Sequence, residues 1–301
     1  MFGRSYQAKR GRIGLLLISP WLLGFILLKL APILASFVFS LTDFNMLKPQ
    51  DASFIGLANY TRLLGDERMW AMLFSTIGLA IVTVPFQLVF ALLLAAMLSN
   101  EAIFGRNFYR TLIFLPSIIP GIAVFSVWFG FIDPASGWLN RLIMEPLGLP
   151  PYGGVNSEAG RNTLLILLSI WNIGPAFLIM SGAMLGVPKE LYEAARVDGA
   201  GPLYRFLNIT IPVISPAIFF SLLISLITVF GGSVLLDRSI TFSFGASSPM
   251  DSYIADVMFT KQALGYAASL SWVLFALVIS IAIYLFRTAD RWVYYPIEEP
   301  S

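Results

Sequence analysis

Long apolar stretches separated by short polar ones dominate this chain. Five windows carry no charged residue at all, at 71–98, 111–132, 163–188, 206–236 and 262–286. Each exceeds the roughly 20 residues that a helix needs to cross a ~30 Å hydrocarbon layer. A sixth, 13–41, is interrupted only by Lys29. Its long stem either carries the ammonium to an interface or wet cavity, or presents it to an anion. The pattern predicts an all-α polytopic membrane protein with six transmembrane helices, at approximately 13–41, 71–98, 111–132, 163–188, 206–236 and 262–286, in a single domain over 1–301. The first stretch is too long for a cleaved leader and lacks a small-residue cleavage site after a short core, so it reads as an anchor helix. Pro20 and Pro32 predict kinks in it, because proline removes a helix donor.

Composition narrows the chemistry. The 301 residues are 57% hydrophobic and 12% charged, outside the soluble range. Cysteine and histidine are absent, which excludes disulfides, Cys/His metal sites and histidine acid–base catalysis. No Gly-Lys dipeptide occurs, so the chain has no phosphate-cradling loop of the Gly-x4-Gly-Lys type. No Asp or Glu lies in any expected crossing, which argues against the alternative of an ion-coupled secondary transporter with carboxylate relays. A membrane enzyme would need a buried nucleophile, base and metal set, and none is evident.

Charge orients the chain. The segments on the side of the termini hold eleven Lys/Arg against seven on the other side, so both termini and the 188–212 segment are expected in the cytoplasm. Trp292, Tyr294 and Tyr295 follow Arg287 and Arg291 at the end of the last crossing, where amphipathic rings suit the headgroup layer.

The 188–212 segment is the most informative polar interruption. Pro188 suits a first helical turn, and residues 189–197 give about two and a half turns. Leu191, Ala194 and Ala195 then share one face, next to Glu193. Gly199, after Asp198 and before Ala200, occupies the position where a helix stops in a left-handed conformation. A second short helix is expected from Pro202, running into the next crossing through Pro212 and Pro216.

The run Glu193-Ala194-Ala195-Arg196-Val197-Asp198-Gly199-Ala200, followed by Ile209-Thr210-Ile211-Pro212, resembles the EAA signature of permease subunits in ABC importers. Residues 16–25, Phe54-Ile55-Gly56-Leu57-Ala58-Asn59-Tyr60, Gly265-Tyr266-Ala267-Ala268 and the tail from Asp290 to Tyr295 are similar to the carbohydrate-uptake group of these permeases. The resemblance implies a type I ABC importer architecture and a non-catalytic role in the inner membrane of a prokaryote. It implies three kinds of partner: a second homologous permease, an ATPase dimer and an extracytoplasmic solute-binding protein. ATP and Mg belong to the ATPase, and no cofactor is expected on this chain. The implied ATPase interface is Leu191, Glu193, Ala194, Ala195, Asp198, Gly199 and Ala200.

Carbohydrate cargo calls for hydrogen-bonding groups and aromatic faces rather than charge. The candidates for the substrate path are Gln87 in the second crossing, Asn172 beside Trp171 in the fourth, and Thr228, Phe230, Gly231 and Ser233 in the fifth. A buried amide must find partners, which singles out Asn172. If Lys29 meets an anion, a glycerol-phosphate-like cargo is the alternative.

Overall fold

The computed structural model describes residues 14, 16–100, 103–153, 167, 171–231 and 249–294. Regular structure among them is helical, apart from one isolated antiparallel bridge between Thr42 and Phe54. Four helices among the described residues are long and apolar enough to cross a membrane: α1 (Leu16–Ser40), α3 (Glu67–Ser99), α8 (Pro202–Phe230) and α10 (Leu264–Ala289). Shorter helices lie between them: α2 (Ala58–Leu64), α4 (Arg106–Phe114), α5 (Gly121–Ile132), α6 (Gly174–Leu185), α7 (Lys189–Val197) and α9 (Pro249–Ala255).

The helical membrane class holds, but two expected crossings are not single helices. The window 111–132 is broken between α4 and α5 by a 3-10 turn, Leu115–Ile118, followed by extended backbone at Ile119 and Pro120. Pro120 pushes the residue before it out of the helical region, which ends the first piece. In the window 163–188 the helix stops at Trp171 and restarts at Gly174, with Pro175 in the new first turn, where its missing N–H costs nothing. Residues 163–166 and 168–170 of that window lie outside the described residues.

Proline acts differently in α1 and α8. Ahead of Pro32 the helix widens into a π-helical segment, Ile26–Leu30, and the N–H of Ala31 reaches back five residues to the carbonyl of Ile26. Ahead of Pro212 the segment Phe206–Thr210 does the same, with Ile211 bonding Phe206. Widening the turn relieves the clash between the proline ring and the carbonyl four residues earlier. Both helices therefore continue through their prolines.

Packing divides the chain into two compact units, Met1–Asp66 with Ile254–Leu274 and Glu67–Tyr253 with Phe275–Ser301. In the first unit the end of α1 is tied down by side chains. Asn59, buried in α2, donates its amide to the carbonyls of Ser40 (2.9 Å) and Thr42 (2.8 Å), and Tyr60 pairs with the Ser40 hydroxyl at 2.8 Å. These are orphan carbonyls at a helix C-terminus, so the amide replaces partners the helix cannot supply. Gly265 donates its N–H to Phe44 at 3.0 Å, and a Cβ there would lie inside contact distance of the Thr42 carbonyl and 3.1 Å from two more backbone atoms. Asp43 accepts the Ser53 N–H and hydroxyl, which holds its carboxyl below the usual range.

The second unit is built on α3. Its buried positions Leu88, Ala91, Ala95 and Leu98 recur every three or four residues and form one stripe. Ala91 and Ala95 are 0% exposed, and their small side chains admit Ala176, Phe177, Met180 and Met184 of α6 into a shared core with Ile214 of α8. Paired small residues let helices approach closely. Thr76, also in α3, bonds its own helix at Met72 and accepts the N–H of Met250 at 2.9 Å, satisfying an orphan donor in the first turn of α9.

The chain's tail is anchored as well as amphipathic. Trp292 meets Phe219 edge to face at 5.6 Å, and the Tyr294 N–H donates to the Ser215 hydroxyl at 2.7 Å. Tyr295 lies outside the described residues.

Gly265→Ala is expected to destabilise the protein by roughly 1–3 kcal/mol, since only backbone surrounds the added methyl and none of it can yield cheaply. Gly182→Ala, whose Cβ would meet nothing within 4 Å, serves as the control. Thermal unfolding in detergent should show a lowered midpoint for the first and an unchanged or slightly raised one for the second, since alanine favours a helix interior over glycine.

Candidate functional site

The helix α7 projects from the second unit between α6 and α8. Pro188 is its N-cap, one position before the first turn expected for it, and its extended ψ of 131° turns the chain away from α6. At the far end Gly199 adopts φ of 77°, the left-handed conformation that glycine takes without strain. The Ala200 N–H then bonds the Ala195 carbonyl at 2.8 Å and the Gly199 N–H bonds Arg196 at 3.2 Å. This pair of bonds is the Schellman closure of a helix C-terminus.

One side of α7 faces outward. Leu191, Glu193, Ala194 and Asp198 are exposed, while Ala195 and Ala200 are half-buried. Val197, which the apolar face inferred from sequence omitted, is 89% exposed. Its spacing of three from Ala194 and six from Leu191 was the available signal, since all three then fall along one side. The result is a small apolar strip flanked by Glu190, Glu193, Arg196 and Asp198. An apolar patch with a polar rim is the form of a protein contact surface.

The inner side is held differently. Tyr192 packs against the core of the second unit, and its hydroxyl lies 2.7 Å from that of Thr210 in α8. Beside this contact is a cleft of about 540 Å³, lined among others by Ser99, Lys189, Glu193, Arg196 and Arg205.

The candidate substrate-path residues are dispersed. Gln87 and Asn172 do meet: the Gln87 amide donates to the Asn172 backbone carbonyl at 3.1 Å. Asn172 is not a buried amide within a continuous crossing, however. It is exposed, in the turn that precedes α6, and Gln87 satisfies a carbonyl freed by that break. Thr228 is exposed and donates its hydroxyl to Ile224, one turn back in its own helix. Phe230 is buried, Gly231 is the residue that follows α8 and the last one described there, and Ser233 lies outside the described residues. Two features near the break went unread in the sequence. Trp171 sits edge to face with Trp128 of α5 at 5.5 Å. Gly174 approaches α4 so closely that a Cβ would lie 3.2 Å from the Phe114 Cα, and Pro116, Pro120 and Pro175 were the signals that both helices break there.

Residues 68–289 match a family described as the binding-protein-dependent transport system inner membrane component. That span includes α7, its cap and every candidate path residue. The chain belongs to this family of transport permeases.

Individual relatives extend the likeness beyond the matched span. The permease is 32% identical to the probable ABC transporter permease protein YesP of Bacillus subtilis (strain 168), across 95% of this chain and 93% of that protein. It is 30% identical to the arabinooligosaccharides transport system permease protein AraP of the same organism, across 89% of this chain and 85% of the other. The crystal structure of a bacterial alginate ABC transporter, in complex with an alginate pentasaccharide-bound periplasmic protein, contains a chain of the same fold. Its TM-score is 0.78 at 20% identity, covering 95% of the permease and 96% of that chain.

The exposure pattern is directly measurable because the permease has no cysteine of its own. Val197→Cys should react rapidly with a maleimide in detergent, whereas Ala91→Cys should stay protected until the protein is denatured.

Proposed function

We propose that this chain is the transmembrane permease subunit of an ATP-driven importer that carries a carbohydrate into the cell by alternating access. The observation that carries the reading is α7, a capped helix with an outward apolar strip, on a chain with no phosphate-binding loop of its own. A surface of this kind suits a separate ATPase, which would hold the ATP and Mg. Leu191, Glu193, Ala194, Ala195, Asp198, Gly199 and Ala200, joined by Val197, form the contact.

In this reading the permease pairs with a second, homologous permease, and each seats one such helix on one subunit of an ATPase dimer. ATP binding draws the ATPase subunits together, the helices move with them, and the membrane helices follow as rigid bodies. A solute-binding protein delivers cargo from outside. The chain acts as one permease domain with six crossings in the inner membrane, the broken segments α4–α5 and 163–188 counting as crossings, and with both termini in the cytoplasm. The excess of Lys/Arg on the side of the termini supports that orientation.

Carbohydrate is favoured as cargo because AraP is named for arabinooligosaccharide transport and because the charge-free windows in which the path would run, 71–98, 163–188 and 206–236, carry amides, hydroxyls and aromatics. The path is proposed to run past Gln87 and the break at Asn172, along Thr228 and toward Phe230, Gly231 and Ser233. Interrupted helices suit such a path, since irregular backbone at membrane depth is tolerated where it lines a cavity.

Glu193→Lys and Gly199→Pro are expected to leave ATP hydrolysis by the purified complex while abolishing ATP-dependent uptake of the ligand that co-purifies with it. The first reverses a charge beside the apolar strip, and the second cannot adopt a positive φ. Full uptake in both variants, or uptake driven by an ion gradient without ATPase, would contradict the proposal. Val197→Cys should be labelled by an impermeant maleimide in inside-out vesicles only, and bound ATPase should block the reaction.

A further inference from the structure

The helix α7 is connected to its neighbours by turns. On one side are Gly186, Val187 and Pro188; on the other, Asp198–Gly201 contains two glycines, one of them at positive φ. Turns of this kind transmit force poorly, because a push can be absorbed in their dihedrals. The side facing the cleft adds little: Lys189, Glu193 and Arg196 line it without a hydrogen bond or ion pair to any described residue outside α7. Among the described residues, the hydroxyl pair of Tyr192 and Thr210 is the one side-chain hydrogen bond between α7 and the rest of the chain.

The position of Thr210 gives that bond its meaning. Thr210 is the last residue of the π-helical segment Phe206–Thr210, immediately before the regular helix Ile211–Gly231. A wide turn is the part of a helix that yields most readily, and a tie at Thr210 acts at its far end, where the continuous helix from Ile211 begins. The Tyr192 ring rests on the same core that Phe206, Ile209 and Val213 join, so the ring is steered from the side while the hydroxyl sets its depth.

We propose that the Tyr192–Thr210 pair is the latch that makes α7 and α8 move as one body, with both acting as positioning residues. The inference rests on the reading of α7 as the ATPase contact. Removing one hydroxyl leaves the packing in place but frees α7 to tilt within its turns. Because a single hydrogen bond has a modest net strength, its loss should raise the population of displaced α7 roughly five-fold.

The test uses the intact complex with its second permease and ATPase, and spin labels at Glu190→Cys in α7 and Ile227→Cys in α8, both exposed. With the latch intact the distance distribution should be narrow and should keep its width when a non-hydrolysable ATP analogue is added. Tyr192→Phe and Thr210→Val should each broaden it on ATP-analogue binding, the double variant should be no broader than either single, and Thr210→Ser should restore the narrow form. Thermal stability should not follow this order, which separates a latch from a general packing role. Distributions as narrow in Tyr192→Phe and Thr210→Val as in the wild type would overturn the latch. If instead bound ATPase failed to protect Val197→Cys, the reading of α7 as the contact would fall first, and the two failures are therefore distinguishable.

Discussion

Every backbone N–H and C=O that enters hydrocarbon needs a partner, because water is not there to supply one and an unpaired group costs several kcal/mol. The course of this chain follows in part from how that constraint is met at four of its prolines. Where Pro32 and Pro212 interrupt α1 and α8, the preceding turn opens by one residue and the helix goes on. Where Pro120 and Pro175 stand in shorter pieces, the helix ends and begins again, and side chains take over the loose groups. Gln87 serves the Asn172 carbonyl, Asn59 serves Ser40 and Thr42, and Thr76 serves the Met250 N–H. Amides and hydroxyls that look like ligand groups in a list of residues are in several cases committed to the backbone.

A second requirement, rigidity, is met around α7. The stripe of small residues on α3 lets α6 and α8 close on it, and Ala91, Ala95, Phe177 and Met180 are all fully buried. The chain leaves this core at Pro188, forms α7, and returns to it at Phe206. A helix as short as α7 is marginal alone in water. Its packed tyrosine and the hydroxyl pair with Thr210 tie it to the core of the second unit.

The residues divide by how far their roles were legible. The stop at Gly199 was readable because few residues other than glycine accept a positive φ, and the observed 77° with its two closing hydrogen bonds is a local matter. The start of a second helix at Pro202 and its passage through Pro212 into the following long helix were readable for the same reason. Asn172 was misread as a buried amide in a continuous helix, because hydropathy averages over a window and does not register that Gly174 and Pro175 end one helix and start another. The pairing of Gln87 with that break spans 85 positions in sequence, and no spacing rule reaches that far. Val197 lies on the outer side with Leu191 and Ala194, although the face read from sequence did not include it.

The amino-acid sequence alone determined the quantities that depend on nearest neighbours and on composition: apolar length sufficient for a membrane, the cap at Gly199, the absence of cysteine and of a phosphate loop, and the family to which the EAA run points. Only the tertiary structure decided which helices are continuous, which polar side chains are already bonded to backbone, and that Tyr192 reaches Thr210. The physical reason is the same in each case. Helix caps and hydrophobic length are set within a few residues, whereas the satisfaction of a buried polar group depends on what another segment, distant along the chain, brings to it.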